Sequence, residues 1–204
     1  MSDTKGKTLV LYAPYRDLDV SVPLVPKERY QEVMAAKHEK SRCEKYLVWK
    51  LLQRAVNELF NLDFDNIRFT KTDNGKWICP EFCFSLSHTD GVVCVAVSDS
   101  DVGVDIEAVR AVKEGMHERF LTDREREHIQ SLTVPERNRF FLGAWVKKES
   151  LFKRDGSLAL LPTKTQTIGC SAILESVTVG GKEYFIAVAA SDNEKIEIRY
   201  TEEI

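Results

Sequence analysis

The sequence lacks a disulfide framework. Its five cysteines, Cys43, Cys79, Cys83, Cys94 and Cys170, are odd in number, scattered, and form no C-x-x-C pair. A disulfide framework uses cysteines in even number, and Cys79 and Cys83 have no His-x-His or second cysteine pair to complete a zinc site, so the thiols read as free, mostly core, in a reducing cytosol. There is no apolar run of the roughly 18 residues needed to cross a bilayer. The opening MSDTKGKTLVLYA is too short in apolar character for a signal peptide, which leaves a cytoplasmic protein with no membrane partner as the expectation. Positive charge is not in excess: the net charge of −3 counts against a nucleic-acid partner. No internal repeat is visible.

What is present is the composition of an ordinary globular chain. At 204 residues, with 43% hydrophobic and 30% charged residues, it can bury a substantial core as one large domain or two small fused ones. Thr8–Ala13 reads as a strand, and Pro23 and Pro26 interrupt the chain after it. Residues 27–39 carry a polar helical pattern. Ser41–Phe60 is a stronger helix, with Leu47, Val48, Leu51, Leu52, Ala55, Val56, Leu59 and Phe60 on one face and Asn61 as its stop. The period then shortens. Ile67 and Phe69 alternate with polar residues, Asp73-Asn74-Gly75 is a hairpin-grade turn, and Phe82, Phe84 and Leu86 alternate with Ser85 and Ser87. Val92–Val97 is continuously apolar, as in a buried strand, and Val102, Val104 and Ile106 alternate with Gly103, Asp105 and Glu107. Residues 108–135 are charged with a short helical pattern. Pro135 starts a second long helix to about Arg154, closed by Asp155-Gly156. The tail reads as strands at Ala172–Leu174, Val177–Val179, Tyr184–Ala189 and Ile196–Tyr200, with a turn at Gly180-Gly181. The fold class is therefore α+β, and the order strand, helix, strands, then helix, strands leaves room for two similar halves.

Three groups of residues could carry chemistry. Asp105 and Glu107 lie two apart in a strand, so they share a face with Cα atoms about 7 Å apart and repel each other unless screened. A hard cation is one solution and a wet strand face is the other. On this pattern alone the wet face is favoured, because exposed carboxylates are the norm. Gly103 beside them would let a ligand approach the backbone. Trp145, Glu149 and Lys153 fall along one helical stripe. The pair alone fits a surface ion pair worth about 0.3–0.5 kcal/mol, but the tryptophan suggests a site wall. Ser87-His88 ends a strand, where a histidine can face a ligand or simply close a turn. Lys37, Lys40, Arg42, Lys45, Lys50 and Arg54 make either a solvated helix face or a phosphate-binding edge.

With these pieces in order, the sequence resembles the 4′-phosphopantetheinyl transferases of the larger, pseudo-dimeric, surfactin-synthetase-activating type. GVDIE (Gly103–Glu107) and WVKKESLFK (Trp145–Lys153) match the two diagnostic motifs at the right separation. NGKW (Asn74–Trp77), FSLSH (Phe84–His88) and LTDRE (Leu121–Glu125) resemble elements around them, and together the match spans about residues 25 to 165.

The resemblance implies two α+β halves, each a long helix on a mostly antiparallel sheet, with the active site between them. Residues 1–105 would hold the nucleotide side, and residues 106–204 the metal and lysine helix and the carrier docking. It implies transfer of the phosphopantetheine arm of coenzyme A to a serine of an apo acyl or peptidyl carrier protein by a monomer. Asp105, Glu107 and Glu149 match magnesium ligands, with manganese as the alternative ion. Glu149, directly or through water, would take the serine proton, and Lys153 would meet the pyrophosphate. Lys45, Lys76, Ser87 and His88 match positions around the coenzyme. The apolar and basic stretch Arg110–Thr122 is either a carrier-docking surface or an amphipathic segment that packs inward. Trp77 stands where the family has proline, and Lys45 where it usually has arginine. Two rivals differ in class. A metal-dependent nuclease would carry (D/E)-x-K on one strand, whereas Ala108-Val109 follow Glu107. A non-catalytic coenzyme A or carrier-binding module would have no need of the full Asp105, Glu107, Glu149 and Lys153 set.

Overall fold

In the computed structural model the described residues are 6–73, 75–113, 115–156, 159–192, 194–202 and 204. Asn74, the middle of the expected Asp73-Asn74-Gly75 turn, lies outside them.

The first strand, β1 (Lys7–Pro14), is followed by a short helix α1 (Lys27–Met34) and the long helix α2 (Glu39–Phe60). The polar helical pattern at 27–39 therefore breaks before its end. Helix α2 stops where Asn61 adopts the left-handed conformation at φ 53° and donates its N–H to the Asn57 carbonyl, a common helix terminus. The alternation at Ile67 and Phe69 makes no strand. Both side chains are buried from an irregular segment, and only the two-residue strands β2 (Thr70–Lys71) and β3 (Trp77–Ile78) pair. Then come β4 (Cys83–Thr89), the wholly buried β5 (Val92–Ser98) and β6 (Gly103–Ala108).

Short helices α3 (Met116–Phe120) and α4 (Asp123–Ile129) lead to the second long helix, α5 (Val134–Asp155). Glu136 accepts the Thr133 N–H at 2.8 Å, Pro135 sits in the first turn, and Gly156 at φ 63° ends the helix. The tail holds β7 (Ile173–Val179), β8 (Lys182–Ala189) and β9 (Lys195–Tyr200), so the two strands expected at 172–174 and 177–179 are one.

Besides the β2-β3 ribbon, the described residues form two larger sheets, ordered β4-β5-β1-β9 and β6-β8-β7. They stack in four layers: α2, first sheet, second sheet, α5. Leu9, Leu11, Val93, Val95 and Val97 face α2. Val10, Cys94 and Ala96, on the opposite face, meet Val104, Ile106, Ile186 and Val188 of the second sheet. Phe185 and Ala187 turn outward to Phe141 and Ala144 of α5. The alternation of strand faces dictates this arrangement, since the central strands β1, β5 and β8 are largely apolar on both faces.

The sequence reading divides the chain after residue 105. That point falls inside β6, which pairs along its whole length with β8, and β9 returns to lie parallel to β1. By strands, the change of sheet occurs between Ser98 and Gly103.

The sheets also meet edge to edge, β4 against β6. The Ser85 hydroxyl accepts the Val104 N–H at 3.0 Å and the Ser87 hydroxyl accepts the Ile106 N–H at 3.3 Å. Serine side chains thus satisfy edge donors that a neighbouring strand would otherwise take.

Candidate active site

Helix α5 reaches the first residue of β6 because that residue is glycine. A Cβ on Gly103 would lie 1.9 Å from the Ser150 carbonyl oxygen and 2.5 Å from the Arg154 nitrogen. The helix, not a ligand, is what the missing side chain admits. This approach brings the stripe Trp145, Glu149 and Lys153 over the outward-facing carboxylates of β6. These residues, with Leu86, Ser87 and His88 of β4, line one cavity of about 310 Å³.

The strand face that the Asp-x-Glu pattern taken alone would leave wet is largely buried. Asp105 is 5% exposed. Its Oδ1 accepts the Ser87 hydroxyl at 2.8 Å and the Lys153 ammonium at 2.7 Å, whereas its Oδ2 is buried with no hydrogen-bond partner. Glu107 accepts from the Thr89 hydroxyl at 3.3 Å and has Arg110 at 3.8 Å. Burial, and then the charge of Asp105, push the Glu107 carboxyl above its ordinary pKa. Glu149 is raised by the same two causes and by Glu107, against the pull of Lys153. Among the described residues no three carboxylate, imidazole or thiol groups form a ready-made metal cage. Even so, an unpaired buried carboxylate oxygen and two neighbouring carboxyls with raised pKa fit a hard divalent cation, whose charge would relieve all three.

The remaining expected residues are placed less uniformly. His88 projects toward α2, with Nδ1 3.7 Å from Glu44. Its pKa is lowered, first by burial and then by the charges of Lys153, Arg29 and Lys45, against the pull of Glu44. Lys45 is half-buried on α2, and its carbonyl accepts from Arg29 at 2.9 Å. Lys76 does not line the cavity. Its ammonium donates to the Lys153 carbonyl at 2.6 Å, at the end of α5, where a cation offsets the helix dipole. Ser87 is buried and spends its hydroxyl on protein partners. The basic face of α2 does not act as one edge: Lys40 pairs with Asp90, while Lys50 and Arg54 line a separate cavity with Asn57, Glu58 and Ile204. In the stretch 110–122, Val112, Met116 and Phe120 pack inward on the α5 cluster, leaving Arg110, Lys113 and Arg119 exposed.

Three features escape a sequence reading. Glu44 beside His88 is one. The serine seam of β4 is another, for which the alternation of Ser85 and Ser87 is the available signal. The third is Lys148, one residue before Glu149. It is fully buried and donates to Glu125 at 2.7 Å and to the Pro162 carbonyl at 2.6 Å, and Glu125 also accepts the N–H and hydroxyl of Thr167. This clamp ties α4, α5 and the 160s loop together behind the stripe of Trp145, Glu149 and Lys153.

Residues 101–194 match the 4′-phosphopantetheinyl transferase superfamily. The chain is 31% identical over 160 residues to the 4′-phosphopantetheinyl transferase HetI of Nostoc, covering 68% of each chain. It is 27% identical over 162 residues to the 4′-phosphopantetheinyl transferase ffp of Bacillus subtilis, covering 74% of this chain and 72% of that one. With the transferase Sfp of the same species the identity is 27% over 115 residues, 55% of this chain and 51% of Sfp, so that match spans about half of the relative. The chain belongs to the 4′-phosphopantetheinyl transferase superfamily.

Proposed function

We propose that this protein moves the 4′-phosphopantetheine arm of coenzyme A onto a serine of an apo acyl or peptidyl carrier protein. The serine oxygen forms a bond to the β-phosphorus of the coenzyme pyrophosphate. The bond from that phosphorus to the bridging oxygen breaks, and adenosine 3′,5′-bisphosphate leaves. The observation that carries this reading is the unpaired Oδ2 of Asp105 in a cavity shared with Glu107, Glu149 and Lys153. Asp105, Glu107 and Glu149 would hold magnesium, or manganese in its place. Bound there, the cation supplies charge neutralisation at the pyrophosphate oxygens. Glu149, on the cavity wall with Lys153, would take the serine proton directly or through water. Lys153 would give its ammonium to the pyrophosphate. His88 and Lys45 would face the nucleotide from the α2 side.

The layout supports two like halves. β1-α2-β4-β5 and β6-α5-β7-β8 each run strand, 22-residue helix, hairpin. Their sheets have the matching orders β4-β5-β1 and β7-β8-β6, with the cavity at the β4–β6 seam. A single chain would then supply both sides of the site, acting as a monomer in the cytoplasm, where coenzyme A and carriers meet.

The test is intact-mass spectrometry of a panel of apo carriers incubated with the protein, coenzyme A and magnesium. A gain of one phosphopantetheine arm, absent with EDTA and with Glu149→Ala, is expected. Magnesium-dependent coenzyme A binding without any gain across the panel would overturn catalysis in favour of a binding module.

A further inference from the structure

We infer that Ser87 is a positioning residue for the metal ligand Asp105 rather than a coenzyme ligand. The inference rests on the reading of Asp105 as a ligand. A hydroxyl has one proton to give and two lone pairs to accept with. The proton of Ser87 goes to Asp105 Oδ1 at 2.8 Å. Its acceptor sites take the Ile106 N–H at 3.3 Å and the Lys153 ammonium at 3.2 Å. All three capacities are in use, and the residue is 6% exposed, so a phosphate oxygen could gain this hydroxyl only by displacing Asp105.

The consequence falls on Asp105. Two donors converge on Oδ1, from Ser87 on β4 and Lys153 on α5, and none reaches Oδ2. A carboxylate held by one oxygen has its rotamer fixed before the cation arrives, and the second oxygen stays free to bind it. Outer partners of this kind typically set 10- to 100-fold of a site's metal affinity. The seam adds a geometric reason: because Ser87 bonds both the backbone N–H of Ile106 and the side chain of Asp105, it couples the packing of β4 on β6 to the aim of the ligand.

The experiment compares wild type, Ser87→Ala and Ser87→Thr, which keeps a hydroxyl. Manganese binding without coenzyme A is read by electron paramagnetic resonance, and adenosine 3′,5′-bisphosphate binding in EDTA by calorimetry. Ser87→Ala is expected to weaken manganese binding about 10-fold or more, with nucleotide affinity within about twofold of wild type, and Ser87→Thr to recover much of the loss. Weakened nucleotide binding with manganese binding intact would overturn the inference and make Ser87 a coenzyme ligand. Wild type that binds no manganese would instead remove the metal reading beneath it. Thermal unfolding in EDTA tells a misfolded Ser87→Ala from a folded one, and Ser87→Cys, nearly isosteric and a weaker donor, serves if the alanine variant does not fold; it is expected to weaken manganese binding, and unchanged binding would overturn the inference.

Discussion

Glu107 and Glu149 are held beside Asp105 at a cost in stability. The carboxyls of Glu107 and Glu149 titrate above their ordinary value of 4.5 in the fold, first through burial and then through Asp105. A carboxyl raised on folding binds more protons folded than unfolded, so its contribution to stability falls as pH rises from that ordinary value through the raised one, then levels off. Glu149→Gln is therefore expected to raise the melting temperature in EDTA at neutral pH by a few degrees, at about 2–4 °C for each kcal/mol, while abolishing transfer. The difference from wild type should vanish toward acid pH and shrink when magnesium is added. Differential scanning fluorimetry across pH with and without magnesium reads both. The clamp behind the site behaves in the opposite sense. Burial alone would raise the pKa of Glu125, but its bonds from Lys148, Thr167 and Thr122 outweigh that and hold it low. Its stabilisation is present above the ordinary carboxylate range and is lost as pH falls through the lowered value. Lys148→Met strands a buried carboxylate and should cost about 3–5 kcal/mol in denaturant unfolding, with the double change Lys148→Met, Glu125→Leu recovering part of it.

At the scale of elements, the contact of α5 with β6 decides whether a site exists. The motif glycine has no positive φ to explain it; Gly103 is an ordinary strand residue pressed against a helix backbone. Backbone atoms cannot rotate aside as a side chain can, so Gly103→Ala must push α5 away, carrying Glu149 and Lys153 from Asp105. The expected cost is at the upper end of the roughly 1–3 kcal/mol usual for overpacking. A melting temperature lower by at least about 6 °C, with manganese binding lost in whatever remains folded, is the predicted result. An unchanged melting temperature would mean that the helix sits farther from the strand. The serine seam is a second element-level device. Ser85 is 4% exposed and faces no part of the cavity lining, so Ser85→Val should cost stability through the orphaned Val104 N–H, about 1–3 kcal/mol, with little effect on metal affinity.

At the scale of the molecule, the two sheets are not independent. Strand β9 comes after everything in the second sheet yet pairs in parallel with β1, from Lys7↔Lys195 to Tyr12↔Tyr200. Without it β1 becomes an unpaired edge and the Ile196 and Ile198 side chains leave the intersheet core. A fragment ending at residue 105 also takes half of β6 from β8. It is expected to aggregate or remain unfolded by circular dichroism and size-exclusion chromatography, while the whole chain unfolds in one transition by two probes. A soluble, cooperatively folding 1–105 fragment would show that the halves are separable.

Local patterning determined much of this. Periods of 3.6 and 2 marked α2, α5, β4 and β6, because each buries a face whose spacing is fixed by its own backbone, and a continuous apolar run marked the fully buried β5. Capping chemistry at Asn61, Pro135 and Gly156 marked where helices begin and end. The carboxylates and Lys153 were legible from motif spacing, as strand and helix neighbours that point one way. What the sequence left open were matters of long-range contact. Whether the face of Asp105 and Glu107 is wet depends on α5 covering it. Whether Val112, Met116 and Phe120 face a partner or the core depends on Phe141 and Trp145 being there to receive them. Lys76 and Ser87 sit on elements whose local pattern says nothing of what lies opposite, and only packing put one on a helix end and the other on a carboxylate. Which sheet β9 joins was open for the same reason: a strand's partner is chosen by edges that meet in space, and β9 finds its edge on a strand nearly the whole chain away.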